Sequence, residues 1–226
     1  IFEKAVSGST DYDDALLRLA DAGLDATRIY EKLTVEDIQG AADLLKPIYD
    51  RTGGSDGYAS LEVNPHLAND TATPITEARR LFTELARPNV MIKVPGTSAG
   101  IPAIRRLIGD GININVTLLF SLDSYRQARE AYIAGLEDLT TSGGNVGSVA
   151  SVASFFISRV DTAVDTQLNE RITVGAIELE TLLGRAAVAN AKLAYRDFLN
   201  TFRGSRFAPL KAKGARVQRT LWGSTS

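Results

Sequence analysis

The sequence predicts an α/β fold in which parallel strands alternate with helices and close into a barrel. Strand-like and helix-like segments take turns along the chain, and no strand leads into a dinucleotide- or nucleotide-binding glycine loop. The strand at residues 112–118 alternates strictly between apolar and polar residues. An open doubly wound sheet has both faces under helices, so a polar stripe fits a barrel lumen better. The 226 residues fall slightly below the roughly 250 of a typical single barrel.

The first part of the chain predicts a helix, a strand and a second helix. The first helix begins at Thr34, an N-cap residue followed three residues later by Asp37. Asp56-Gly57 forms a turn before the strand at residues 58–63. Thr73-Pro74 then reads as an N-cap with proline in the first helical turn. These segments give the opening units of the barrel.

The alternation continues to the end of the chain. Further strands are predicted at residues 90–94, 112–118, 148–156 and 216–222. Further helices are predicted at residues 101–108, 122–139 and 177–199. Because no low-complexity linker interrupts this order, residues 1–226 are predicted to form a single domain.

Composition excludes several classes of function. With 25 Lys and Arg against 27 Asp and Glu, the net charge of -2 is unlike that of a nucleic-acid-binding protein. The absence of cysteine and the single histidine, His66, exclude disulfides, thiolate chemistry and multi-histidine zinc sites. No apolar run approaches the roughly 20 residues that span a bilayer, and no signal peptide is recognisable, so a cytoplasmic protein is expected.

Lys93 lies in an apolar strand, between Ile92 and Val94. Lysine is seldom fully buried unless it is paired or has a chemical role. Because burial favours the neutral amine, a strand lysine is a candidate Schiff-base nucleophile. The structural alternative is a side chain that extends from the strand end to solvent. The residue by itself leaves both interpretations open.

Three other polar residues are predicted to share the layer of Lys93. Glu62 occupies the comparable place in the preceding strand, and neighbouring strands lie about 4.8 Å apart. Its carboxylate is placed either to move protons or simply to compensate the lysine charge. Asn115 and Thr117, on the next strand, extend the layer, although each also fits a hydrogen-bonded core residue.

A phosphate-binding group is predicted from residues at the ends of the last two strands. Ser154 ends one strand, Arg159 follows near a helix start, and Ser224 follows the final strand. Arginine and hydroxyl groups near helix N-termini suit a phosphate. The alternative for Arg159 is a surface neighbour of Asp161. Like His66, Trp222 is predicted to be structural.

Four motifs occur in the order found in the transaldolase family, and the chain resembles its longer bacterial branch. They are SLEVNPHL at 60–67, MIKVPGT at 91–97, INVTLLFS at 114–121 and VASFFISRVD at 152–161. The lysine motif followed by NVTLLFS is highly specific, and the likeness extends over essentially the whole chain.

This resemblance implies a (β/α)8 TIM barrel and an enzyme without cofactor or metal. The implied reaction moves a dihydroxyacetone unit from a ketose phosphate, fructose 6-phosphate or sedoheptulose 7-phosphate, to an aldose phosphate in the pentose phosphate pathway. The implied roles are Schiff-base formation by Lys93, proton transfer by Glu62 with a water and by Thr117, dihydroxyacetone binding by Asn115 and Ser154, and phosphate binding by Arg159 and Ser224.

The chain also departs from the family pattern. The family's first strand carries an acid/base aspartate and its second a Thr-x-Asn-Pro motif, whereas this chain opens with Ile1-Phe2-Glu3-Lys4. We therefore expect strands three to seven of the barrel, from a longer protein. A Schiff-base aldolase of the fructose-6-phosphate or deoxyribose-phosphate type and a truncated, non-catalytic sugar-phosphate-binding protein remain alternatives. The helices and insertions at residues 174–216 favour the long transaldolase, and the oligomeric state is not predicted.

Overall fold

One sheet of five strands lies in the part of the chain that the structure, a computed structural model, describes: residues 6–63 and 71–224. The strands are β1 (Ala59–Glu62), β2 (Val90–Pro95), β3 (Ile114–Leu119), β4 (Ser151–Phe156) and β5 (Arg219–Gly223). Their order in the sheet is their order in the sequence, and the pairs from β2 to β5 are parallel. A doubly wound sheet reverses its strand order at a switch point, and this sheet does not. The predicted α/β class is confirmed, and the sheet is consistent with part of a TIM barrel.

Helices separate the strands, as the sequence predicts. They are α1 (Asp13–Asp21), α2 (Ala26–Arg51), α3 (Ala72–Leu85), α4 (Gly100–Gly109), α5 (Leu122–Thr141), α6 (Ser158–Thr173), α7 (Ala186–Phe202) and α8 (Ala208–Ala212). Short 3-10 helices occupy Val146–Ser148 and Ile177–Leu182.

Two predicted helix boundaries are wrong. Helix α2 begins at Ala26, because the Asp25 carboxylate accepts a hydrogen bond from the backbone N–H of Arg28 at 2.9 Å. Thr34 lies inside that helix, where its hydroxyl donates to the Tyr30 carbonyl oxygen. The helix predicted at residues 177–199 is interrupted at Gly184. The backbone of this glycine is in the left-handed region, with a φ of 68°, and cannot continue a right-handed helix.

The described chain divides into two compact units, and the prediction of a single domain stays a prediction. The first unit comprises the residues up to 61 together with 80–90. Its core includes Asn89, which is fully buried and donates to the carbonyl oxygens of Ala42 at 2.7 Å and Gly57 at 2.9 Å. These two hydrogen bonds satisfy both donors of the buried Asn89 amide and link α2 to the turn before β1.

The second unit comprises residues 62–79 and those from 91 onward. The outward face of its sheet packs beneath helices, and Phe155 makes edge-to-face ring contacts with Tyr125 and Trp222, each at 5.9 Å. Burial raises the pKa of the Tyr125 hydroxyl, which keeps that group neutral in the core. This packing fixes β4, so the opposite face of the strands holds its polar side chains in defined positions.

No helix within the described residues is both long enough and apolar enough to cross a membrane.

Candidate active site

Strand β2 holds Lys93 on the opposite face from two core residues. Ile92 and Val94 are fully buried, and the alternation of a strand turns the intervening side chain to the other side. The register pairs Lys93 with Asn115 on β3, so the two side chains share one face of the sheet. The lysine side chain is 28% exposed, which leaves its amine accessible to a small molecule.

Glu62, the last residue of β1, reaches the Lys93 amine. Its Oε2 accepts a hydrogen bond from Lys93 Nζ at 3.0 Å, and the backbone N–H of Val63 donates to the Lys93 carbonyl oxygen at 3.2 Å. The carboxylate therefore lies within direct proton-transfer distance of the amine. With 41% of the Glu62 side chain exposed, the pair is well solvated, so its contribution to stability is small.

Asn115 and Ser154 form a second polar pair on neighbouring strands. The Ser154 hydroxyl donates to Asn115 Oδ1 at 2.7 Å, and both residues are buried. Because each group has a hydrogen-bond partner, both are held in fixed positions on the face that also carries Lys93. Such fixed hydroxyl and amide groups suit the binding of a small polyhydroxylated molecule.

Thr117 lies two residues beyond Asn115 and therefore on the same face of β3. It is paired with Pro95, and its carbonyl oxygen accepts from the N–H of Gly96 at 2.8 Å. The residue is 1% exposed. The structure thus brings Thr117 into the same layer as Lys93 and Asn115, as the sequence predicts.

The ends of β4 and β5 bring the predicted phosphate-binding residues to one region. The N–H of Ile157 donates to the Gly223 carbonyl oxygen at 2.9 Å, which joins the start of α6 to the residue before Ser224. Arg159, the second residue of α6, is exposed, and its guanidinium lies 5.9 Å from the centre of the Phe156 ring. An exposed arginine in the first turn of a helix is a favourable site for an anion.

The structural alternative for Arg159 involved its neighbour Asp161. The carboxylate of Asp161 accepts from the N–H of Ala187 at 2.8 Å, at the first turn of α7.

Trp222, predicted to be structural, contacts Phe155 but keeps 42% of its surface exposed. His66 lies outside the described residues.

A β-bulge lies beside Thr117 and was not predicted from the sequence. Leu118 has a φ of 60°, and the register between β3 and β4 shifts at this point. Strict alternation at residues 112–118 gave no sign of it, since leucine has no preference for this conformation.

Within the described residues, no group of three or more acidic or histidine side chains is arranged to bind a metal ion.

Comparison with known proteins identifies the family of this chain. A sequence model described as transaldolase/fructose-6-phosphate aldolase matches residues 1–225. The chain is 46% identical to Transaldolase 2 of Nostoc sp. over 232 residues, covering 100% of the chain and 61% of the relative. It is 47% identical to Transaldolase 1 of Streptomyces coelicolor and 48% identical to a transaldolase of Thiobacillus denitrificans, over 225 residues each. These alignments cover 100% of the chain and 58% and 62% of the two relatives.

The chain thus spans about 60% of the length of the curated relatives it matches. The family match nevertheless extends over nearly every residue, including the strands that hold Lys93, Asn115 and Ser154. The chain belongs to the transaldolase/fructose-6-phosphate aldolase family.

Proposed function

We propose that this chain contributes the reactive face of a transaldolase, which transfers a dihydroxyacetone unit between sugar phosphates through a Schiff base on Lys93. The observation that supports the proposal best is the 3.0 Å hydrogen bond from Lys93 Nζ to Glu62 Oε2. An accessible amine on a rigid strand, next to a carboxylate, has the groups needed to attack a carbonyl and move the resulting protons. The names of the relatives point to the same reaction.

The reaction begins when the neutral Lys93 amine attacks the carbonyl carbon of a ketose phosphate. Glu62, directly or through a water, takes and returns protons as the carbonyl oxygen leaves as water. The protonated Schiff base then accepts the electron pair of the carbon–carbon bond, which releases an aldose phosphate and leaves a three-carbon carbanion. That carbanion attacks the aldehyde carbon of a second aldose phosphate, whose oxygen takes up a proton. Water then hydrolyses the resulting Schiff base, which releases the new ketose phosphate and the free Lys93 amine.

The other polar residues hold the substrate during these steps. Asn115 and Ser154 bind the hydroxyl groups of the dihydroxyacetone unit, and Thr117 relays protons to its oxygen atoms. Arg159 and Ser224 bind the phosphate at the far end of the sugar through charge-assisted hydrogen bonds. These separate roles explain why the site combines a lysine, a carboxylate, hydroxyls and one arginine.

A Schiff-base aldolase is the second candidate, because the matching family description also names fructose-6-phosphate aldolase. The two reactions differ in the fate of the carbanion, which an aldolase protonates and a transaldolase passes to an acceptor. Assays with fructose 6-phosphate, with and without erythrose 4-phosphate, separate them. Transfer requires the acceptor, whereas cleavage proceeds without it.

Borohydride trapping tests the proposal in the full-length protein. Incubation with fructose 6-phosphate and borohydride is expected to give a covalent adduct on Lys93, located by peptide mass spectrometry. Lys93→Ala should abolish the adduct, whereas Lys192→Ala, at an exposed position on α7, should leave it intact. A protein that binds the sugar phosphate without forming any adduct would instead be the non-catalytic binding protein.

A further inference from the structure

Near its carboxyl-terminal end, β3 has one residue more than the matching stretch of β4, the strand beside it. The register between β3 and β4 is given by two pairs on either side of the irregularity, Val116 with Ala153 and Leu119 with Phe155. Between these pairs, Thr117 and Leu118 lie opposite Ser154 alone. This two-against-one arrangement is a β-bulge, a feature that often redirects a side chain next to an active site.

The bulge exposes Leu118. Regular alternation would place its side chain with Ile114 and Val116, which are both fully buried. Leu119 is fully buried instead, whereas Leu118 is 39% exposed and is the exposed residue of β3. A large apolar side chain is thereby moved out of the core to the end of the strand.

The backbone at this position is held in an unfavourable conformation. Leu118 has a φ of 60°, and the other non-glycine residue with positive φ in the described chain is Ala86. Residues with a Cβ disfavour this region, so it persists where the surroundings enforce it. Here Leu119 fills the space beside Gly96, where a Cβ on the glycine would lie 2.5 Å from Leu119 Cδ2. Packing of Leu119 thus fixes the conformation of Leu118.

Leu118 lies close in the sheet to the residues proposed to react with the substrate. It follows Thr117, and Thr117 lies two residues beyond Asn115, the register partner of Lys93. An exposed leucine offers no hydrogen bond to a sugar. What it does offer is an apolar cover that keeps water from neighbouring polar groups.

We propose that Leu118 is a specificity-determining residue that shields the carbanion intermediate from water and so favours transfer over cleavage. This inference rests on the proposed function. Without shielding, the carbanion takes a proton from water, and hydrolysis of the Schiff base by a second water releases dihydroxyacetone and the free Lys93 amine. With shielding, its electron pair forms the carbon–carbon bond to the acceptor aldehyde, whose oxygen takes up a proton. Hydrolysis of the resulting Schiff base then releases sedoheptulose 7-phosphate and the free Lys93 amine.

The test measures how the carbanion is divided between these two routes. The full-length enzyme is given fructose 6-phosphate and erythrose 4-phosphate, and dihydroxyacetone released is compared with sedoheptulose 7-phosphate formed. Leu118→Asn is the main variant, because asparagine tolerates positive φ but is polar. We expect the ratio of release to transfer to rise about tenfold. Leu118→Met, which keeps an apolar side chain, should leave the ratio close to that of the wild type.

Controls separate the side chain from the backbone. Ala86→Gly relieves a positive φ in the other compact unit and should not change the ratio. Leu118→Gly relieves the same conformation in place and removes the apolar side chain, so it should still raise the ratio.

Two results would overturn the role of Leu118: an unchanged ratio in Leu118→Asn, or an equal rise in Leu118→Met. Failure of the proposed function is a different result, because the wild type would then form no borohydride adduct on Lys93.

Discussion

Replacing Glu62 by glutamine should separate its chemical role from its structural one. Glu62→Gln keeps the size of the side chain and removes the charge that accepts a hydrogen bond from Lys93 at 3.0 Å. As a proton carrier, the carboxylate contributes to catalysis by about 10² to 10⁴-fold. We therefore expect a fall in kcat/KM of that order.

The expected effect on stability is much smaller. The two side chains are 41% and 28% exposed, so water screens their attraction and solvates the lysine that is left alone. Pairs in such surroundings contribute about 0 to 1 kcal/mol. The free energy of unfolding of Glu62→Gln should consequently stay within about 1 kcal/mol of the wild type.

The measurements are urea unfolding and steady-state transfer from fructose 6-phosphate to erythrose 4-phosphate. Asp138→Asn is the matched control, because it removes the charge from another exposed pair, in which Arg105 Nε donates to the Asp138 carboxylate at 2.7 Å. Asp138→Asn should cost a similar amount of stability and leave activity unchanged. Full activity in Glu62→Gln would refute the proton-transfer role. A loss of more than about 3 kcal/mol in stability, typical of a broken buried pair, would refute the argument from exposure.

Two further predictions concern stability. Gly135→Ala would put a Cβ 2.6 Å from the Arg105 carbonyl oxygen, where two helix backbones meet, so urea unfolding should show a loss of about 2 kcal/mol. Gly40 is at an exposed helical position where an added Cβ would have no atom within 4 Å, so Gly40→Ala should instead gain up to about 1 kcal/mol of stability. If both variants were stabilised or both destabilised, the packing argument would be contradicted. Arg206 hydrogen-bonds to Glu137 and lowers the pKa of that carboxyl from its ordinary value of 4.5. A lowered pKa in the folded state stabilises the protein above the ordinary value, and the gain is lost as pH falls through the lowered pKa. Arg206→Met should therefore lower the Tm at neutral pH and have a diminishing effect below about pH 4; an effect that grows in acid would contradict this assignment.

Helix boundaries show where local patterns were insufficient. Thr34 and Asp37 form a reasonable capping pattern, but Asp25 caps the same helix nine residues earlier. Apolar periodicity identifies the buried stripe of a helix and says little about exposed turns beyond it. The break at Gly184 was missed for a related reason, because leucines before it and alanines after it continue the helical pattern across it.

The candidate site was predicted to a greater extent than the boundaries. Lys93 and Glu62 stood out because charged residues interrupt apolar strands, and the structure places their side chains in contact. The hydrogen bond from Ser154 to Asn115 was not foreseen, although both residues were named. Pairing across strands depends on register, and a sequence pattern gives the faces of a strand without its offset from the next.

The sequence by itself determined the strand order, the polar face of the sheet and the residues whose side chains can react with or bind a substrate. These follow from alternation and residue chemistry along the chain. Tertiary structure alone decided the 3.0 Å contact between Lys93 and Glu62 and the bulge that exposes Leu118. Both depend on how neighbouring strands are aligned. That alignment is fixed by packing between residues far apart in the chain, such as Leu119 against Gly96, where the buried volume outweighs the local preference of the backbone.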